Sequence, residues 1–87
     1  MSVPTIFRQA GFQVRIHSDD HPPAHVHVWK AGDEIVIDLG ADNVPPSIRE
    51  NKTMRRSDAR RAVLLVEDNQ EVLLEEWRAT HGQVENE

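Results

Sequence analysis

The sequence predicts a small α+β domain, an antiparallel β-meander of three to four strands with one long C-terminal α-helix packed on one face. Three observations predict this class. The length of 87 residues fits a single domain, residues 1–87. Short segments of the first half alternate apolar and polar residues, as half-buried strands do. Apolar residues of the last third recur at three- and four-residue spacing, which is typical of an amphipathic helix.

The first two strands are predicted at residues 12–17 and 25–30. Both segments alternate apolar and polar side chains, in the sequences FQVRIH and HVHVWK. The segment 19–23 between them contains two aspartates and two adjacent prolines, which favour a loop because proline donates no hydrogen bond to a sheet.

The third strand is predicted at residues 34–39, which are rich in β-branched side chains. Ala31-Gly32 supplies a tight turn before it. Residues 40–46 are predicted to form a loop, and residues 47–50 are predicted as a short fourth strand.

The helix is predicted at about residues 58–80. Ser57 is a suitable N-cap and Asp58 is favourable in the first turn. Gly82 is the expected stop, and residues 83–87 are expected to fray. One apolar stripe faces the sheet and places Trp77 in the core: Ala59, Ala62, Val63, Val66, Gln70, Leu73 and Trp77. His81 is expected to act as a favourable cation at the helix end.

Composition excludes several classes of protein. The chain has no cysteine, which excludes disulfides and thiolate-bound zinc. No apolar run approaches the ~18 residues of a membrane span, and the N-terminus lacks the core of a signal peptide. A cytoplasmic protein without membrane contact is therefore expected. The net charge of −5 argues against broad nucleic-acid affinity, although residues 45–61 carry six basic and two acidic side chains.

Four of the five histidines lie within eleven residues, at positions 17, 21, 25 and 27. Imidazole titrates near neutrality and is the commonest nitrogen ligand of metals, so this segment is the candidate functional site. Pairing apolar with apolar residues sets Val14 against Val28, Val28 against Ile35 and Val26 against Ile37. The same register predicts His17, His25 and Asp38 as one row on the face away from the helix. His21 is expected at the same end of the sheet.

Three hypotheses follow for this face. In the first, His17, His21, His25 and His27 hold a divalent metal, zinc or nickel, with Asp38 as a ligand or an orienting group. In the second, His25 and His27 act as acid and base on RNA, oriented by Asp38, with Arg15 holding phosphate.

In the third hypothesis, the polar side chains pair with one another or are covered by a second subunit. Trp29 and Gln13 share the same face, where Trp29 would anchor a dimer or stack on a base. Arg55 and Arg56 belong to the basic stretch that could bind an anionic partner.

Nearly the whole chain resembles a small bacterial family, domain of unknown function 4160. The specific parts are the opening and the histidine segment, and the helix adds a weaker likeness. Where the family usually has two prolines before the second histidine, this chain has Pro23-Ala24. The matching segments are Pro4–Arg8, Gly11, Asp20–Val28, Glu50-Asn51, Ser57, Leu65–Asn69 and Leu73–Trp77.

The resemblance implies a prokaryotic cytoplasmic protein encoded beside another small protein, in an arrangement that resembles toxin–antitoxin gene pairs. The leading hypothesis is therefore an interaction component of such a pair, which binds the neighbouring protein, itself as a homodimer, or both. A small ribonuclease or RNA-binding protein and a divalent-metal-binding domain are the alternatives.

Overall fold

A computed structural model describes residues 5–81, and for Thr5 and Ile6 it describes the backbone only. Five antiparallel strands form one sheet in chain order, each beside the strand that precedes it. They are β1 (Thr5–Gln9), β2 (Phe12–Arg15), β3 (His25–Lys30), β4 (Asp33–Asp38) and β5 (Ser47–Asn51). The α+β class and the antiparallel meander are confirmed, whereas the predicted number of strands, three to four, was too low.

Two-residue turns close the β1–β2 and β3–β4 hairpins, and both are Ala-Gly. The φ angles are 53° and 84° at Ala10 and Gly11, and 51° and 88° at Ala31 and Gly32. Positive φ at both central residues gives the backbone twist that a two-residue hairpin needs. The Ala-Gly pair that indicated the second hairpin also occurs at the first, so the same turn signal was available for the strand that was missed.

The predicted register of the central strands is confirmed. Val14 pairs with Val28, and Val28 with Ile35. His25 pairs with Asp38, and His27 lies between Arg15 and Val36. However, β2 ends at Arg15 rather than at residue 17, so His17 lies outside the ladder.

Two helices replace the single helix predicted at 58–80: α1 (Arg56–Asp68) and α2 (Gln70–His81). The break is at Asn69, whose side-chain amide donates to the Leu65 carbonyl at 2.8 Å while its backbone amide bonds Val66. Such local bonding competes with the helical ladder. The predicted N-cap at Ser57 was also wrong, because α1 begins at Arg56, two residues before the predicted start, and its N-cap, Arg55, makes no side-chain cap hydrogen bond.

The core lies between one sheet face and the two helices. Trp77 is buried as predicted, and so is Leu65, which the predicted stripe omitted. The sheet contributes Phe12, Val14, Ile16, Val26, Val28, Ile35, Ile37 and Leu39, and the helices contribute Ala59, Ala62, Leu65, Val66, Leu73 and Trp77. Neither helix of residues 5–81 has the length and apolar character needed to cross a membrane. The expected stop at Gly82 and the frayed residues 83–87 lie outside the described residues.

Candidate functional site

The loop between β2 and β3 brings one carboxylate onto two histidines of β3. Asp20 Oδ2 is 3.1 Å from His27 Nε2 and 3.2 Å from His25 Nε2. The loop connects two strands that are neighbours in the sheet, so it must reverse direction between them. The Asp20 amide donates to the His17 carbonyl at 3.2 Å within this reversal. The carboxylate is therefore shared by two imidazoles, and all three side chains are largely removed from solvent.

His27 is held from both sides. Its Nδ1 lies 3.0 Å from Glu34 Oε2 and its Nε2 lies 3.1 Å from Asp20 Oδ2. Both partners are carboxylates, so each ring nitrogen of His27 faces a hydrogen-bond acceptor. Lys52 Nζ stands 3.7 Å from Glu34 Oε1 and balances part of the negative charge. This arrangement fixes the orientation of the His27 ring.

His17 completes the cluster by stacking on His27. The ring centroids are 4.0 Å apart and the planes differ by 12°. One nitrogen of each ring and one oxygen of Asp20 lie within 4.8 Å of one another. We refer to His17, Asp20 and His27 as the His–Asp cluster.

His25 occupies a different place from the one predicted. Its side chain is almost fully buried and its ring centroid is 5.3 Å from that of Trp77, so the ring does not point away from the helices. Its Nδ1 donates to the Pro23 carbonyl at 3.0 Å, which leaves Nε2 directed at Asp20. The prediction that His17 and His25 are neighbours on an open face was wrong, because β2 ends before His17 and its ring meets His27 instead.

Asp38, predicted to orient His25, is engaged elsewhere. Its Oδ1 accepts a hydrogen bond from Arg49 Nε at 2.7 Å, although its backbone pairs with His25 as expected. The strand register determines which residues face each other, but it does not determine where a side chain points. The Asp38 carboxylate points to the Arg49 guanidinium. Arg49 also donates to the Pro23 carbonyl at 3.0 Å and so ties β5 to the histidine loop.

The other predicted residues are dispersed. Arg15 lies opposite His27 in register, but its guanidinium donates to Gln13 at 2.8 Å and stands 5.7 Å from the Trp29 ring centroid. Trp29 is therefore only partly exposed. His21 is exposed and outside the cluster. The predicted catalytic set of His25, His27, Asp38 and Arg15 thus does not converge, and the predicted metal set is reduced to His17 and His27 with Asp20.

The basic residues Arg55 and Arg56 are exposed at the start of α1. Arg55 Nε lies 3.9 Å from Asp58, whereas Arg56 lines a groove between α1 and β5. Neither residue belongs to the His–Asp cluster.

Two pKa values within the cluster depart from their usual range. Burial, and then the neighbouring His27, lower the pKa of His17, which favours the neutral ring that a metal binds. Burial opposes ionisation of Asp20, but His25 and His27 outweigh it and hold the pKa of this carboxyl below its ordinary value.

Sequence reasoning missed Asp20 and Glu34 as partners of His27. Glu34 was available from the register, because a residue paired with Trp29 is a diagonal neighbour of His27 on the same sheet face. Asp20 was visible only as a loop residue, since no periodicity fixes the path of an irregular loop.

Comparisons with known proteins agree with the resemblance seen in the sequence. A family model described as "Domain of unknown function (DUF4160)" matches residues 11–78, which include the His–Asp cluster and most of both helices. No curated protein and no solved structure matches the chain significantly.

Proposed function

The chain belongs to the family described as domain of unknown function DUF4160, and we propose that it is a divalent-metal-binding domain. His17, Asp20 and His27 are the proposed ligands. One observation carries the proposal: three ligand atoms converge within 4.8 Å, and a second carboxylate orients the His27 ring from behind.

The distance between two of the proposed ligand atoms is close to that of a metal site. Two ligand atoms that are each ~2.0–2.1 Å from zinc in tetrahedral geometry lie about 3.3–3.4 Å apart. The 3.1 Å between Asp20 Oδ2 and His27 Nε2 needs little adjustment. His17 needs a larger shift, which its position outside β2 permits.

The surroundings of the ligands also suit a metal. Histidines that bind metals usually donate their other ring nitrogen to a carboxylate or a backbone carbonyl, which fixes the tautomer. Glu34 occupies that position for His27. His25, held in the same way by Pro23, directs its Nε2 at Asp20 and would steady that ligand.

The donor atoms narrow the choice of metal. Two imidazoles and one carboxylate suit zinc and nickel, whereas magnesium and calcium prefer sites built from oxygen alone. Three protein ligands leave a coordination position for water or substrate, which is the usual pattern of a zinc site that performs chemistry.

A metal titration with matched variants tests the proposal. Protein freed of metal by chelation is titrated with zinc by calorimetry, and imidazole resonances are followed by NMR. We expect His17 and His27 to shift together. His27→Ala should weaken binding by about a hundredfold or more, because it removes a ligand. His21→Ala, a histidine of the same loop outside the cluster, should leave binding unchanged. Equal losses in the two variants, or no binding by the parent protein, would refute the proposal.

A second candidate function, an interaction component of a toxin–antitoxin-like gene pair, is favoured by a different surface. Strand β5 is exposed along its whole length at the edge of the sheet, and its unpaired backbone groups suit an added strand. Ile48 and Leu64 are 47% and 55% exposed beside it. Arg56 and Arg60 line the same groove, so an acidic partner segment is the best match in charge.

Co-expression with the protein encoded beside this gene tests the second candidate. We expect a complex that the double variant Ile48→Glu and Arg60→Glu disrupts. Size-exclusion chromatography with light scattering separates this hetero-complex from a homodimer. A monomer that does not bind the protein encoded beside this gene would refute the second candidate function and would not affect the metal proposal.

A further inference from the structure

A cavity of about 430 Å³ lies between the histidine loop and α2, directly against the His–Asp cluster. Pro22 and Ala24 line it from the loop, and Leu74 and Trp77 line it from the helix. Asp20 belongs to both the cavity wall and the cluster. The volume of the cavity lies within the range of ~300–1,000 Å³ that is typical of small-molecule sites.

The apolar part of the cavity suits a flat ligand. Trp77 and His81 stack with ring centroids 3.8 Å apart and planes that differ by 23°, so they form a rigid aromatic wall. His81 Nδ1 donates to the Trp77 carbonyl at 3.0 Å, which keeps the stack in place. Planar rings pack favourably against such surfaces.

The polar part of the cavity suits an anion. His21, Arg78 and His81 line it and are basic. Asp20 is the one acidic residue among those that line it in the described part of the chain, and His25 and His27 already engage its carboxylate. His81 Nε2 has no hydrogen-bond partner within residues 5–81. Arg78 therefore supplies a permanent positive charge at this cavity, and His81 Nε2 supplies a ring nitrogen without a partner among the described residues.

We infer that this cavity is the substrate pocket of the metal site and takes a small planar organic anion of the aromatic carboxylate class. The inference rests on the proposed function, because Asp20 can join pocket and metal only if the cluster binds one. The flat body of the ligand lies on the Trp77–His81 wall. Its acidic group meets Arg78 or the coordination position that the three ligands leave open.

Binding of 2-naphthoate, compared with its uncharged analogue 2-naphthamide, tests the inference. Zinc-loaded protein of residues 1–87 is titrated with each probe while backbone and indole resonances are followed by NMR. We expect 2-naphthoate to shift Ala24, Leu74 and Trp77. The amide should bind about tenfold more weakly, the loss of one charge-assisted hydrogen bond. Equal affinity for the two probes, or an absence of shifts at these residues, overturns the inference.

Two variants with the same change of charge locate the anion. Arg78→Gln should weaken 2-naphthoate binding about fivefold to tenfold. Arg60→Gln changes an exposed arginine of α1 that lines the groove beside β5 and not this cavity, and it should change binding less than about twofold. Identical effects of the two variants show that the overall charge, not the cavity, attracts the probe, and this result overturns the inference.

A comparison of zinc-loaded with chelator-treated protein separates this inference from the proposed function. We expect zinc to strengthen 2-naphthoate binding, because the metal neutralises Asp20 and offers a coordination position. If zinc binds the cluster but 2-naphthoate does not bind, the inference fails and the proposed function stands. If 2-naphthoate binds equally with and without zinc, the cavity and the His–Asp cluster are not one site, and the inference fails. If zinc does not bind the cluster, the proposed function itself fails.

Discussion

A single contact, Glu34 with His27, has a large part in the proposed site. Glu34 Oε2 accepts from His27 Nδ1 at 3.0 Å, and both side chains are only 12% exposed. Because the contact is shielded from water, it holds the ring more firmly than a surface pair would. The second ring nitrogen therefore points at Asp20 rather than at solvent.

We predict that Glu34→Gln weakens zinc binding about tenfold without loss of the fold. Loss of a residue that hydrogen-bonds a metal ligand typically weakens metal affinity by ~10–100-fold. The amide oxygen of the glutamine can still accept a hydrogen bond from the His27 ring, so we expect a loss at the low end of this range. Calorimetric titration measures the change. Asp38→Asn is the matched control, since Asp38 lies on the same strand but bonds Arg49. A larger loss in the Asp38 variant would contradict the prediction.

The pKa of His17 makes the stability of the fold depend on pH. Burial, and then His27, lower the pKa of His17 in the folded protein below its ordinary value of 6.5. The unfolded chain therefore takes up this proton at a higher pH than the folded protein does. The stability contributed by neutral His17 is complete above pH 6.5 and is lost as the pH falls through the folded pKa.

We expect His17→Gln to reduce the fall in unfolding free energy between about pH 7.5 and about pH 5.5. Urea unfolding in the presence of a chelator measures it. His21→Gln, which changes an exposed histidine of the same loop, should retain the slope of the parent protein. The titration of Asp20 does not interfere, because the pKa of this carboxyl is lowered from 3.8. Parallel slopes for the parent and both variants would refute the prediction.

At the scale of elements, the sequence was most informative where side chains alternate across a buried sheet face. A one-residue slip of β3 would place His25 and His27 in the core, so the register between Val14, Val28 and Ile35 could be predicted. The first strand was missed although Ala10-Gly11 repeats the turn signal at Ala31-Gly32.

The helix break was missed for a different physical reason. The apolar spacing continues through Asn69 from Val66 to Leu73, and both of these side chains are fully buried. Periodicity therefore showed one helix. Asn69 bonds the Leu65 carbonyl, and the next residue, Gln70, bonds the Leu39 carbonyl after β4. Apolar periodicity carries no information about either hydrogen bond.

We predict that Gln70→Ala lowers the unfolding free energy by about 1–2 kcal/mol, because the part-buried Leu39 carbonyl loses its side-chain donor. Gln70 Nε2 lies 2.8 Å from the Leu39 carbonyl, 2.9 Å from that of Val44 and 3.2 Å from that of Ala41. Urea denaturation measures the change. Glu75→Ala, at an exposed position of the same helix, should shift the midpoint much less. A loss of the same size in both variants would show that helix propensity, not the loop contact, is responsible.

At the scale of the whole molecule, the histidine loop is bonded to β3, to β5 and to the residue that follows β4. Asp20 ties it to β3, Arg49 ties it to β5, and Ala24 accepts a backbone hydrogen bond from Leu39. A chain of this length buries only about 60–65% of its unfolded surface, so its core is modest and an added cross-link has a large relative effect. A metal that joins Asp20 and His17 to His27 would be such a cross-link.

The last prediction follows from this linkage. A ligand that binds only the folded state at a hundred times its Kd adds about 2.7 kcal/mol to the unfolding free energy. Since each 1 kcal/mol shifts the Tm of a domain of this size by about 4–8 °C, zinc should raise the Tm by about 10–20 °C over chelated protein. Thermal melts followed by circular dichroism measure the shift. His21→Ala should show the same rise and His27→Ala almost none. A full rise in Tm in the His27 variant would place the metal outside the His–Asp cluster, because this variant lacks one of the three proposed ligands.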